Sequence, residues 1–164
     1  NMGFYGDLNA RQMLQFIAEL NGLAGKPADE RIDSALEKVG LLDEASKKIA
    51  FYSRGMRQRL GIAELLIKDS KVAFLDEPTL GLDPDATNRM IELIQSLCRD
   101  KKITVLLSSH LLHQVQKICH RIGIMIKGRM VAQGPMDQLA KEKFGVGKDA
   151  YSLEEIYMKY FQEA

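Results

Sequence analysis

Nothing in this chain is long and apolar enough to span a bilayer. The longest uncharged stretch, residues 103–116, falls short of the ~20 apolar residues a spanning helix needs, and it carries serine, histidine and glutamine. No signal-peptide pattern opens the sequence, so any membrane role is expected to run through a partner. An excess of charge of one sign is missing too. The 23 basic and 22 acidic side chains leave a net charge of +1, which gives no global electrostatic reason to expect nucleic acid. Cysteine is scarce: Cys98 and Cys119 stand far apart, without metal-ligand spacing, and read as buried small hydrophobes. No histidine pair has zinc spacing with a third ligand. There is no internal repeat and no low-complexity tract. The 164 residues, 46% apolar and 27% charged, suit one packed domain or one core with a small appended subdomain.

The portion up to residue 67 reads as helical. Asn9 can cap a helix with Gln12 three residues on, and Met13, Leu14, Phe16, Ile17 and Leu20 make one apolar face. Gly22 and Gly25 break that helix. Pro27 suits the first turn of a second one carrying Ile32, Ala35, Leu36 and Val39, which Gly40 closes. A third helix is expected after Gly55, with Leu60, Ala63, Leu66 and Ile67 inward. From Lys71 the period changes. Residues 72–75 and 103–107 are aliphatic or β-branched runs that look like parallel strands covered on both faces. Between them an amphipathic helix turns Met90, Ile91, Leu93, Ile94 and Leu97 inward. Residues 122–126 and 130–132 read as a hairpin, and Ser152-x-x-Glu155 as a capping box opening a last helix with Leu153, Ile156, Tyr157, Tyr160 and Phe161. Strand–helix alternation after residue 71 argues for an α/β fold.

The chemistry concentrates in a few places. The run Val72-Ala73-Phe74-Leu75 ends in the adjacent carboxylates Asp76 and Glu77, followed by Pro78, Thr79 and Gly81-Leu82-Asp83. An apolar strand tipped by two carboxylates can present one to Mg²⁺ and the other to an attacking water. Phosphoryl transfer needs mainly positioning and charge neutralisation. If the strand continues through both residues, their side chains point to opposite sides. Ser53-Arg54-Gly55 before a helix makes a corner where free backbone N–H groups and the positive helix end can meet a phosphate, with the Ser53 hydroxyl as a further donor. By itself such a corner is more often a cap; its place just upstream of the Asp-Glu strand argues for the anion. His110 closes the strand 103–108 through Ser109, where a ring N–H can reach a γ-phosphate. His113 and His120, on the following helix, read as ordinary capping or core residues.

With these motifs in this order, the chain resembles the ATP-binding-cassette (ABC) ATPases over essentially its whole length. Tyr52-Ser53-Arg54-Gly55-Met56 stands in the place of the family signature Leu-Ser-Gly-Gly-Gln, keeping Ser53 and Gly55 but carrying Arg54 and Met56, as in a subgroup of multidrug and ABC-2-type exporters. Residues 72–77 resemble the Walker B strand, Gly81-Leu82-Asp83 the D-loop and His110 the switch histidine. The resemblance implies ATP and Mg²⁺ as ligands. Asp76 would hold the metal, Glu77 would be the general base, and His110 would sense the γ-phosphate. Ser53 and Gly55 would contact ATP bound by a second ATP-binding subunit, homodimeric pairing being expected, and Asp83 would couple the two sites. It further implies a transmembrane permease partner, no nucleic acid, and a cytoplasmic place at the inner membrane face. The fold implied is a P-loop NTPase-type parallel sheet. Residues 1–67 would form the helical subdomain with the signature, and residues 68–164 the C-terminal part of the core with Walker B, D-loop and switch histidine. The other reading, a non-transport ABC ATPase acting on nucleic acid or ribosomes, would bring sustained heptads or a basic stripe, which are absent.

One family element is not in the sequence. A phosphate loop reads Gly-x-x-x-x-Gly-Lys-Ser/Thr, and Gly-Lys occurs only at Gly25-Lys26 and Gly147-Lys148, each in the wrong context. The chain therefore resembles the C-terminal two-thirds of such a subunit. The parallel sheet is expected to be incomplete, lacking the phosphate-loop strand. The open strand edges are expected to be met by strand re-pairing, by self-association or by a separate polypeptide, and the chain by itself is expected to be inactive.

Overall fold

The computed structural model describes residues 5–145 and 151–163. They fall into two compact units, Asn1–Ser108 and Ser109–Ala164.

The first unit begins with three helices: α1 (Ala10–Leu20), α2 (Lys26–Lys38) and α3 (Arg54–Lys68). Helix α1 opens with the expected capping box: Gln12 N donates to Asn9 Oδ1 at 2.8 Å, and Asn9 N donates to Gln12 Oε1 at 3.0 Å. Pro27 sits in the first turn of α2, and Gly40 follows it with φ +62°, a left-handed conformation that glycine adopts without a Cβ clash. The three helices pack on one another and bury Leu14, Ile32, Leu36 and Leu60. Three of the five residues of the expected α1 face go inward: Met13, Leu14 and Ile17 are buried, whereas Phe16 and Leu20 are exposed. Phe16 instead meets Tyr5 edge-on, ring centroids 6.4 Å apart.

The same hydrophobic core continues into the strand region. Strands β1 (Val72–Asp76) and β2 (Thr104–Ser108) pair in parallel, joined through α4 (Pro84–Lys101), the helical crossover that parallel neighbours require. Helix α4 turns Met90, Leu93, Ile94 and Leu97 inward, while Ile91 is half-buried. The strands were expected to be covered on both faces. One face is: Ala73 is buried, and Leu75 and Val105 pack against the core. The other is open, with Phe74 75% and Leu106 62% exposed directly opposite each other in the ladder. An aliphatic run alone does not report how many faces find a partner. Polar contacts tie α2 to neighbouring elements: Arg31 Nε donates to Leu66 O and its guanidinium pairs with Asp69, and Lys38 pairs with Asp100 at 3.3 Å.

The second unit contains α5 (Leu112–Ile118), the antiparallel pair β3 (Ile122–Ile126) and β4 (Arg129–Gly134), α6 (Met136–Phe144) and α7 (Leu153–Gln162). The hairpin turns at Lys127-Gly128, both with positive φ (49° and 77°), the two-residue geometry that matches strand twist. The capping box of α7 forms as expected, Glu155 N donating to Ser152 Oγ and Ser152 N to Glu155 Oε2. Leu153, Ile156 and Tyr160 are buried; Tyr157 is half-buried and Phe161 faces solvent. Neither cysteine is in a disulfide, and both are half-buried.

Because the Asn9 cap satisfies an otherwise orphaned amide of α1, Asn9→Ala is expected to lower stability by about 1 kcal/mol in urea denaturation. An unchanged midpoint would show that the box contributes nothing.

Candidate functional site

Strand β1 ends at Asp76. In the parallel register Asp76 lies opposite Ser108, whose hydroxyl donates to Asp76 Oδ1 at 2.5 Å. The next backbone N–H, that of Glu77, donates back to Ser108 O at 3.1 Å and to Ser108 Oγ at 3.3 Å. Glu77 itself has φ +46°. The two carboxylates are therefore not successive residues of one continuing strand, as the alternation argument assumed. The chain turns left-handed at Glu77, a conformation costing a non-glycine residue roughly 1–2 kcal/mol. A turn follows at once: Leu80 N donates to Glu77 O and Leu82 N to Thr79 O. Thr79 is buried at its centre and Gly81 (φ +72°) completes it. Asp83 then caps α4, its Oδ1 accepting from Ala86 N at 2.8 Å.

The second motif stands at the start of α3. Tyr52 anchors the approach, its ring buried and its hydroxyl donating to Glu44 O at 2.8 Å; burial and then the Glu44 carboxylate push its phenol above the ordinary range. Ser53 is the N-cap, Oγ accepting from Met56 N at 3.2 Å. Gly55 lies inside the first helical turn rather than before the helix. The cap leaves the Arg54 and Gly55 amides without an intrahelical acceptor, at the positive end of the helix dipole.

These motifs share a cleft of about 260 Å³, lined by Ser53, Arg54, Gly55 and Met56 on one side and by Gly81, Leu82 and Asp83 on the other. Arg59 and Arg89 also line it. Arg59 is committed elsewhere, donating to the Val39 and Gly40 carbonyls, each at 2.8 Å; burial, then the Arg89 charge, lower its pKa. Arg89 pairs with Asp85. Of the residues singled out from sequence, Ser53, Gly55 and Asp83 thus meet in one place, and Asp76 and Glu77 share Ser108. His110 opens the second unit as an exposed residue, one place after Ser109, whose Oγ accepts from Leu111 N at 3.1 Å. Ser108 belongs to no motif; its only signal in the sequence is the end-to-end alignment of two five-residue parallel strands, which sets it opposite Asp76.

Asp76 is the one residue proposed for metal, and no group of three metal-capable side chains occurs among the described residues. That donor set fits Mg²⁺ at a nucleotide. Such an ion keeps several waters and takes one or two carboxylates, the remaining ligands coming from substrate phosphates.

Solved structures give the class first. An ATP-binding subunit of an ABC transporter superposes with a TM-score of 0.78 at 28% identity, covering 96% of this chain and 64% of that one. The structure of cbiO1 from Clostridium perfringens, described as part of the ABC transporter complex cbiONQ, superposes at 0.74 and 27%, covering 96% and 62%. The fold is that of the ABC ATPase domains, a P-loop NTPase fold. Sequence comparison agrees: the family described as ABC transporter matches residues 6–80. The bacitracin transport ATP-binding protein BcrA of Bacillus licheniformis is 41% identical over 139 residues, 85% of this chain and 44% of that protein. The linearmycin resistance ATP-binding protein LnrL of Bacillus subtilis is 34% identical over 144 residues, 88% of this chain and 46% of that protein. The chain belongs to the ABC transporter ATP-binding family, and it spans about half the length of the curated relatives it matches.

The bond from Ala86 N holds the exposed Asp83 carboxyl below its ordinary 3.8. A depressed folded pKa contributes stability that is fully present above the unfolded value and lost as pH falls through the folded one. Asp83→Asn, which keeps a capping oxygen, is therefore expected to flatten the acid side of the stability–pH profile below 3.8. A profile unchanged by the substitution would contradict the cap.

Proposed function

We propose that this chain is part of the ATP-binding, ATP-hydrolysing subunit of an ABC transporter of the export type, coupling MgATP-driven closure of a dimer to movement of substrate by a membrane-embedded permease. The observation that carries this reading is the junction at the end of β1, where one serine bonds to Asp76 and to the Glu77 backbone. Its support comes also from relatives named for bacitracin transport and linearmycin resistance.

The geometry supports a division of labour. Asp76, steadied by the Ser108 hydroxyl, offers its carboxylate to Mg²⁺, which when bound neutralises charge on the phosphates. Glu77, turned out of the strand, orients the hydrolytic water and takes its proton as the water oxygen attacks the γ-phosphorus and ADP leaves. The amides and hydroxyl at Ser53–Gly55 face a phosphate of ATP bound to a second subunit. Asp83, across the cleft, links the two sites, and His110 reads the γ-phosphate. Residues 1–67 supply the helical subdomain and 68–164 the remainder of the core. No helix among the described residues is long and apolar enough to cross a membrane, so a place at the inner membrane face depends on the permease. With no phosphate-loop sequence of its own, the chain alone does not turn over ATP. Of the three expected responses to open strand edges, self-association is supported by the exposed apolar side chains of Phe74 and Leu106.

In the assembled transporter ATPase, Glu77→Gln is expected to lower kcat roughly 10²–10⁴-fold with nucleotide affinity retained. Wild-type turnover in that variant would remove Glu77 from the chemistry. For the chain alone, light scattering should give a mass above the monomer's 18.4 kDa, with Phe74→Lys shifting it toward the monomer. A wild-type monomer at all concentrations would refute self-association.

A further inference from the structure

Arg54 replaces a glycine of the family signature, and the structure gives it a specific neighbour. A Cβ built on Gly81 would lie 2.7 Å from Arg54 Nη1, 3.1 Å from Cζ and 3.3 Å from Nε. With three of its atoms 2.7 to 3.3 Å from that position, the guanidinium fills the space a side chain at Gly81 would take. The contact is returned from the other side: a Cβ on Gly55 would stand 3.3 Å from Leu82 Cδ2. Each loop thus presents a glycine to a side chain of the other, Gly81 beneath Arg54 and Gly55 beneath Leu82. Leu82 in turn packs on the core. The other two arginines of the cleft are held by carbonyls or by an acid, whereas Arg54 makes no such bond to a described residue. A guanidinium face is weakly hydrated, so it can rest on a peptide plane while its N–H edge stays in water.

We propose that Arg54 is a positioning residue. Its guanidinium clamps the turn at residues 77–82 to the N-terminus of α3, so that the Ser53–Gly55 corner and the Glu77 backbone move as one body. The mechanical link is short. The turn beneath Arg54 is closed by Leu80 N to Glu77 O and Leu82 N to Thr79 O, so a displacement of Gly81 is felt two bonds away at the candidate base. An anion arriving at the corner would set the geometry at Glu77 through Arg54, and the function given to this coupling rests on the reading of the preceding subsection.

Hydrogen exchange by NMR on this chain tests the clamp without nucleotide. Arg54→Ala is expected to speed exchange of the Leu80 and Leu82 amides by on the order of tenfold, with the α2 amides unchanged. Arg54→Gln, whose amide reaches only the position of Arg54 Nε, and Arg54→Lys, which reaches that of Cζ without the planar group, should each recover at most part of the protection. Gly81→Ala should shift the Arg54 Nε–H resonance. Leu80 and Leu82 exchange within about twofold of wild type in Arg54→Ala, or full protection in Arg54→Lys, would overturn the clamp. In the assembled ATPase the clamp predicts kcat lowered about tenfold with KM for ATP unchanged, because positioning rather than binding is lost. A raised KM at unchanged kcat would overturn it. If the wild-type assembly has no ATPase activity, the functional reading fails while the exchange arm still decides the clamp.

Discussion

A single hydroxyl at the end of β2 ties down the end of β1 and the turn that follows it. Ser108 faces Asp76 because β1 and β2 pair in parallel without a register slip. From that position it donates to the Asp76 carboxylate and receives the Glu77 N–H. A slip of one residue would turn Ala73 and Leu75 out of the core and carry the serine to the wrong face. Burial of the apolar face by α4 therefore sets the position of a polar contact at the strand's end. Hydrophobic burial supplies the free energy, and the serine converts it into geometry.

The left-handed turn at Glu77 belongs to the same arrangement. It departs from the strand at the residue after Asp76. Bonds from Glu77 N on one side and Glu77 O on the other hold it in place. A strained non-glycine residue persists only where its surroundings over-determine it, which is a frequent condition at catalytic positions. Beyond it the chain meets α3 through interleaved glycines and enters α4 through the Asp83 cap. Three motifs that are scattered in sequence thus become neighbours through one turn and two helix starts.

Local signals were the legible part of this sequence. The capping boxes at Asn9 and Ser152, the Pro27 start and the Lys127-Gly128 turn each depend on one residue or on residues at most three apart, and all form. Parallel pairing of the two aliphatic runs was legible too, since a helical pattern lay between them. What failed was coverage. Leu20 and Phe16 fit the apolar face of α1 and Phe74 fits a buried strand, yet all three are exposed. Periodicity says which residues share a face and nothing about whether another element meets it. Arg54 was legible only as a departure from a signature. Its contact with Gly81 spans two loops, and no spacing rule reports that.

The central claim is that Asp76 is a ligand to Mg²⁺ at bound nucleotide. Manganese titration followed by electron paramagnetic resonance, on the assembled subunit loaded with a non-hydrolysable ATP analogue, tests it most directly. The account predicts that Asp76→Asn weakens nucleotide-dependent Mn²⁺ binding by at least about tenfold, one of the few ligands such an ion takes from protein being lost. Equal Mn²⁺ affinity in wild type and variant would contradict it.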